Sequence, residues 1–189
     1  MVGAPLPLPA TYRDVERAPE THVAELLDGR LVLQPRPAML HAVAASNLGG
    51  LLIPPFRFGR GGPGGWVIVD EPELHLGGDV LVPDLAGWRA ADLPDLQLTV
   101  PAVTVAPQWV CEVASPSTRR HDRLLKMPRY AAAGVQHLWL VEPEDQLIEV
   151  YRRDGDHWTR TGAYSGDEPC ALEPFDAVPM VPGDLWRAF

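Results

Sequence analysis

The chain has 189 residues, 46% of them hydrophobic, which suits one domain with a sizeable core. Its formal net charge of −9 argues against broad, non-specific nucleic-acid binding. No apolar run reads as a membrane span, the N-terminus lacks a secretory pattern, and two cysteines make no disulfide framework, so a reduced, cytoplasmic protein is expected.

Residues 1–10 are Pro-rich and read as an extended arm, and Thr11 is placed to cap one or two helical turns ending near Arg17. His22–Leu27 and Arg30–Gln34 are apolar runs joined by Asp28-Gly29, the signature of a tight β-hairpin. Glu25 interrupts the first run and reads as a solvent-facing strand position. Pro37–Ile53 is a helix candidate with Pro54-Pro55 as its stop, carrying His41 and Asn47 as polar positions. The Gly-rich run Phe56–Gly65 lacks the Lys-Ser/Thr ending of a phosphate loop and reads as a flexible crossing.

Trp66–Asp70, Glu73–Leu76 and Asp79–Val82 are short strands, broken at Pro72 and Gly77-Gly78. Pro83 opens a further strand on which Asp84, Ala86 and Trp88 share a face. Residues 89–107 read as a loop with a helical turn. Trp109–Ala114 is an apolar strand in which Glu112 shares a face with Val110 and Ala114; Ser117 can cap the helix that follows, and Gly134 can end it. His137–Val141 and Leu147–Arg152 are strands, and a second hairpin turns at Asp154-Gly155. The tail, 164–189, is acidic and Pro-rich, with Leu185-Trp186 able to dock on the core. Hairpins, strands and two helices in this order predict an α/β fold, a mixed α+β sheet with helices packed on it.

Three ionisable residues stand out. Asp84 and Glu112 are carboxylates among apolar strand residues, costly to bury without compensation. Lys126 is the one lysine in a chain with fifteen arginines, and only an ammonium of the two can shift its pKa and act on a water. Two converging carboxylates repel unless a proton or cation stands between them, and oxygen ligands favour Mg²⁺ or Mn²⁺. With an amine that orients or deprotonates a water, this is a kit for metal-assisted phosphodiester hydrolysis. Taken singly, Glu112 has an alternative reading as an arginine's ion-pair partner and Asp84 one as a turn or strand-end residue. Asp122 and Lys126, four apart, read as a modest surface pair. Arg119, Arg120, Arg123 and Arg129 either neutralise phosphates or form a solvated helix face.

The chain resembles the Uma-two family, restriction-endonuclease-like proteins of the PD-(D/E)XK nuclease superfamily. Pro83-Asp84, the run Glu112–Ser117, Asp122, Lys126, Tyr130, Gly134-Val135 and Trp139–Val141 carry the resemblance over roughly residues 11–153, and the hairpin Ala24–Gly29 and His41 fit its N-terminal part. The superfamily places its lysine two residues after the acid, where this chain has Ala114; the resemblance implies that Lys126 has migrated to the helix. It implies a restriction endonuclease-like core with flanking helices and an N-terminal β-hairpin, acting as a Mg²⁺ (or Mn²⁺) dependent endonuclease on DNA, as a homodimer. Asp84 and Glu112, with the Val113 carbonyl, would bind metal; Asp84, Glu112 and Lys126 would be catalytic; Glu25 and His41 would be accessory; Arg119, Arg120 and Arg123 would bind phosphate. The rival expectation is a catalytically silent member serving as a binding or regulatory module. A glycan hydrolase built on the carboxylate pair would leave Lys126 without a role, and Cys111, in a buried strand, is a poor nucleophile.

Overall fold

The computed structural model describes residues 9–35, 37–93, 102–115 and 118–188. Most of the N-terminal arm and the capping position at Ser117 fall outside these residues. Helix α1 (Tyr12–Glu16) starts where Asp14 accepts the Thr11 N–H at 2.8 Å. Strands β1 (His22–Leu27) and β2 (Arg30–Pro35) form the expected hairpin, with Asp28 and Gly29 at φ 53° and 67°, the left-handed pair that matches strand twist. With β4 (Glu73–Leu76), β5 (Asp79–Leu81) and β7 (Ala102–Val103) they make a five-stranded sheet, ordered β2-β1-β5-β4-β7. Strand β7, parallel to β4, lies within the stretch expected to be loop.

The main sheet has six strands. Strands β3 (Trp66–Asp70), β6 (Leu85–Arg89), β8 (Trp109–Val113), β9 (His137–Glu142), β10 (Leu147–Asp154) and β11 (His157–Tyr164) run in the order β11-β10-β9-β8-β6-β3, with β8 and β9 parallel and the other pairs antiparallel. Side-chain alternation divides this sheet's core in two. Trp109, Cys111 and Val113 pack with helix α2 (Met39–Leu52) and the tail residues Phe175 and Leu185. Val110, Leu138 and Leu140 pack on the opposite face with Ala86, Met127, Tyr130 and residues of the smaller sheet. Glu112 follows Val110 in the same alternation, so it emerges on this second face.

The helical stretch Met39–Arg57 is long and apolar enough to cross a membrane by length and composition, unlike the expectation from the sequence. In the fold its Ala44, Leu48, Leu52 and Phe56 belong to the core. Pro54-Pro55 does not stop it. The chain continues as a π-helical turn, Ile53–Arg57, in which the Phe58 N–H reaches back to the Ile53 carbonyl at 3.2 Å. Asn47 pins the tail against this helix by donating to the Asp184, Leu185 and Arg187 carbonyls.

The expected single helix after β8 is three pieces: α3 (Arg119–His121), a π-helical turn (Asp122–Lys126) and α4 (Met127–Ala132). Pro128 supplies the reason. It has no N–H for the Leu124 carbonyl, and its ring crowds that carbonyl, so the preceding turn widens and the Met127 N–H reaches the Asp122 carbonyl instead. Gly134, at φ 91°, ends the segment as expected.

Candidate active site

Asp84 lies just before β6, on the edge of the register that pairs Leu85 with Cys111 and Ala86 with Val110. Its Oδ2 accepts the Val113 N–H at 2.6 Å, which locks the carboxylate beside the end of β8. Its Oδ1 lies 3.0 Å from His41 Nε2 on α2. Burial opposes a charge on His41, but the Asp84 hydrogen bond and charge outweigh it and raise the imidazole pKa. Glu112 is buried; Lys126 Nζ lies 2.8 Å from its Oε1 and 2.9 Å from its Oε2. Tyr130 donates its hydroxyl to Glu112 at 2.6 Å. Lys126 and Tyr130, four residues apart, thus grip the same carboxylate from one helical face.

Lys126 is only 2% exposed. It also donates to the Val82 carbonyl at 3.1 Å and lies 2.9 Å from Glu25 Oε1. Burial alone would lower its pKa, but Glu112, then Glu25 and Asp122, hold it above the ordinary ammonium value. These carboxylates favour the protonated ammonium at this position.

Glu25 is fully buried rather than solvent-facing. It accepts from the Val82 N–H and the Gln34 side chain, both at 2.8 Å, and has His121 Nε2 at 3.5 Å. Burial works against its ionisation, yet Lys126, His121 and the Val82 N–H bring its pKa down to about 2. It is the back wall that holds Lys126. Sequence position alone could not separate this from a solvent-facing residue, because the sheet covering β1 is built from strands fifty residues later.

Asp84, Glu112, Val113, Lys126 and His41 all line one cavity of about 330 Å³. Asp122 and Glu71 line it too. Asp122 is buried, not a surface residue, and its pKa rises to about 6 through burial, opposed by Lys126 and Thr118 and reinforced by Asp84. The four-residue spacing from Lys126 was legible; that this helical face turns inward was not. Glu71, at φ 44° beside Pro72, had no sequence signal beyond that punctuation.

The structure does not bring Arg119 or Arg123 to the cavity. Arg119 pairs with Glu142 and Asp145 at 2.9 and 2.8 Å. Arg123 pairs with Glu142 at 2.6 Å and with Glu149, and donates to the Tyr151 hydroxyl. Carboxylates of β9 and β10, invisible as neighbours in sequence, already compensate these guanidinium groups. Arg120 is exposed.

Among the described residues no three His, Cys, Asp or Glu side chains form a group able to hold a metal by themselves. The carboxylates that line the cavity are the hard oxygen donors a divalent cation would take. Burial pushes the Glu112 carboxyl up, Lys126 opposes that, and Asp122, Asp84 and Glu25 push it further. A divalent ion that keeps several waters needs only one or two carboxylates and would relieve this repulsion.

No curated protein matches the chain. A crystal structure described as a putative nuclease belonging to DUF820, from Anabaena variabilis ATCC 29413, superposes with a TM-score of 0.71 at 20% identity, covering 94% of this chain and 98% of that one. That likeness shows a shared fold, the restriction endonuclease-like core. A family model, Uma2, described as "Putative restriction endonuclease", matches residues 9–179, so the chain belongs to the Uma2 family and its nuclease function is that of the family.

Proposed function

We propose that the chain is a Mg²⁺- or Mn²⁺-dependent endonuclease that hydrolyses DNA phosphodiester bonds in the cavity around Asp84, Glu112 and Lys126. The observation that carries this reading is the meeting of these three side chains in one cavity, with the ammonium supplied from a helix fourteen residues after the acid it contacts. Asp84, Glu112 and the Val113 carbonyl would hold the ion. When bound, such an ion polarises a phosphate oxygen and acidifies a water. Lys126, whose ammonium the surrounding carboxylates favour, steadies negative charge that develops on the phosphate. Glu25 and Tyr130 keep that charge and Glu112 in place. Asp122, with a pKa of about 6, is the cavity carboxylate suited to accept a proton near neutrality. Of the three arginines expected at phosphates, Arg120 remains available.

A second reading has its own support. Both Asp84 oxygens and both Glu112 oxygens already have protein partners, as a silent binding module would require. Mn²⁺ titration by calorimetry separates the two. The enzyme reading expects saturable binding that Asp84→Ala removes, with plasmid nicking in Mg²⁺ or Mn²⁺ that the same variant loses. Absence of both in the wild-type protein leaves the silent module. Sedimentation of the wild-type protein tests the homodimer that family resemblance suggests.

A further inference from the structure

The Gly-rich run after α2 is neither a phosphate loop nor a loose crossing. It folds back on the two prolines. The Arg60 N–H donates to the Pro54 carbonyl at 2.8 Å and the Gly64 N–H to the Pro55 carbonyl at 2.9 Å. Gly59, Gly61, Gly64 and Gly65 take positive φ, and a Cβ at Gly62 would meet Pro55 Cβ at 2.5 Å. This shaped loop presents Phe58, 56% exposed, with the Arg57 and Arg60 guanidinium groups over its ring, 5.6 and 5.2 Å from the centre, and Arg57 also donating to the Ile68 carbonyl at 3.2 Å. The Gly65 carbonyl accepts the Ala90 N–H, which brings the end of β6 alongside; there Arg89 lies 4.1 Å over the Trp66 ring. Residues 57–65 contain no acid in a chain of net charge −9. Among the described residues none of Arg57, Arg60 and Arg89 makes an ion pair, whereas Arg119, Arg123, Arg129 and Arg160 all do.

An exposed aromatic ring flanked by uncompensated guanidinium groups has a specific complement. Nucleobases stack on such rings without regard to sequence, and arginines beside the ring neutralise backbone phosphates. The position fits the cavity. His41 lines it at one end of the helical stretch, and Arg57 lies at the other, about 24 Å away at about 1.5 Å per residue. Between them a cleft floored by Ala45, Ser46 and Gly49 shares His41, Glu71 and Asp84 with the cavity and reaches Ile53. We infer that the Phe58–Arg60 loop, with Arg57 and Arg89, is a second contact for single-stranded nucleic acid, holding the strand that runs from the cavity. Asp70 and Glu71 repel phosphates along the cleft, so grip is concentrated at the loop. The inference rests on the nuclease reading but is tested apart from it.

The test is fluorescence anisotropy of a 5′-labelled oligothymidine strand in EDTA, where cleavage plays no part. Wild-type protein is compared with Phe58→Ala and Arg60→Ala, both changes at exposed positions. Phe58→Ala is expected to weaken binding about tenfold. Arg60→Ala is expected to lower the slope of log affinity against log salt by about 0.7, with Arg60→Lys restoring it. Equal binding by all proteins overturns the inference, and so does failure of the wild type to bind. Loop variants that alter sedimentation but not strand binding also overturn it, since the loop would then be a contact between copies. Plasmid cleavage by wild-type protein in Mg²⁺, run in parallel, decides the nuclease reading separately: cleavage with loop-independent binding removes the loop and leaves the nuclease.

Discussion

The segment Arg119–Ala132 supports two clusters of cations and carboxylates, and they differ in balance. On the cavity side one ammonium, Lys126, stands between Glu25 and Glu112, with Asp122 and Asp84 adding repulsion to Glu112. On the outer side Arg119, Arg123 and Arg160 meet Glu142, Asp145 and Glu149, one guanidinium for each carboxylate. The outer cluster is neutral and partly solvated, and it works as a fastening between helix and sheet. The cavity cluster is buried, concave and short of positive charge. Buried carboxylates without full compensation are expensive, so they persist where a ligand or a reaction uses them. Both clusters pair cations with carboxylates, but the cavity uses the one lysine where the outer cluster uses arginines, and it alone carries a surplus of acid.

The largest effect should come from Lys126→Ala. Removing the ammonium leaves Glu25 and Glu112 buried without their main counter-charge, which costs about 3–5 kcal/mol. Urea denaturation measures it, and plasmid cleavage at a temperature where the variant is folded should fall by about a hundredfold or more. A variant as stable as the wild type would erase the contrast between the clusters. Glu25→Gln should cost about 3 kcal/mol at neutral pH, for the same reason. Its pH dependence sharpens the point. The folded-state pKa of about 2 lies below the ordinary 4.5, so the Glu25 contribution is present above 4.5 and fades as pH falls toward 2. The stability gap between wild type and variant should therefore close on acidification, and a gap independent of pH would mean that Glu25 acts by packing alone.

Asp122→Asn should move the other way. A folded-state pKa raised from 3.8 to about 6 means that ionisation of Asp122 opposes folding. The variant should gain about 1–3 kcal/mol over wild type above pH 6 and show no gain below 3.8. Thermal melts across that range read the difference directly. The smallest effect belongs to the outer cluster. Arg160 is 57% exposed, so Arg160→Ala should cost least of these variants, and less still in added salt. A cost as large as that of Glu25→Gln would show that the outer cluster is not the lesser one.

Much of the fold was legible from local chemistry. Asp28-Gly29 set the first hairpin, Gly134 ended the helical segment, and alternation along Trp109–Val113 placed Glu112 with Val110. Asp84 and Glu112 could be chosen because carboxylates beside apolar strand residues are conspicuous. Pro128 disturbs the helix by its own chemistry, but the outcome, a π-helical turn that widens the segment at Asp122–Lys126, depended on how the chain satisfied its carbonyls. The Gly-rich loop was visible as composition alone; its compact shape follows from packing on Pro54 and Pro55.

Residue order by itself determined most of the elements, the family resemblance and the choice of Asp84, Glu112 and Lys126 as candidates, because strand alternation, turn propensity and an isolated lysine are properties of neighbours along the chain. Tertiary structure alone decided that Glu25 stands behind Lys126, that Asp122 turns inward, and that Arg119 and Arg123 are claimed by Glu142 and Glu149. Those outcomes depend on which charges become neighbours when distant strands pair, and Coulomb energy in a buried site is set by separation in space, not by separation along the chain.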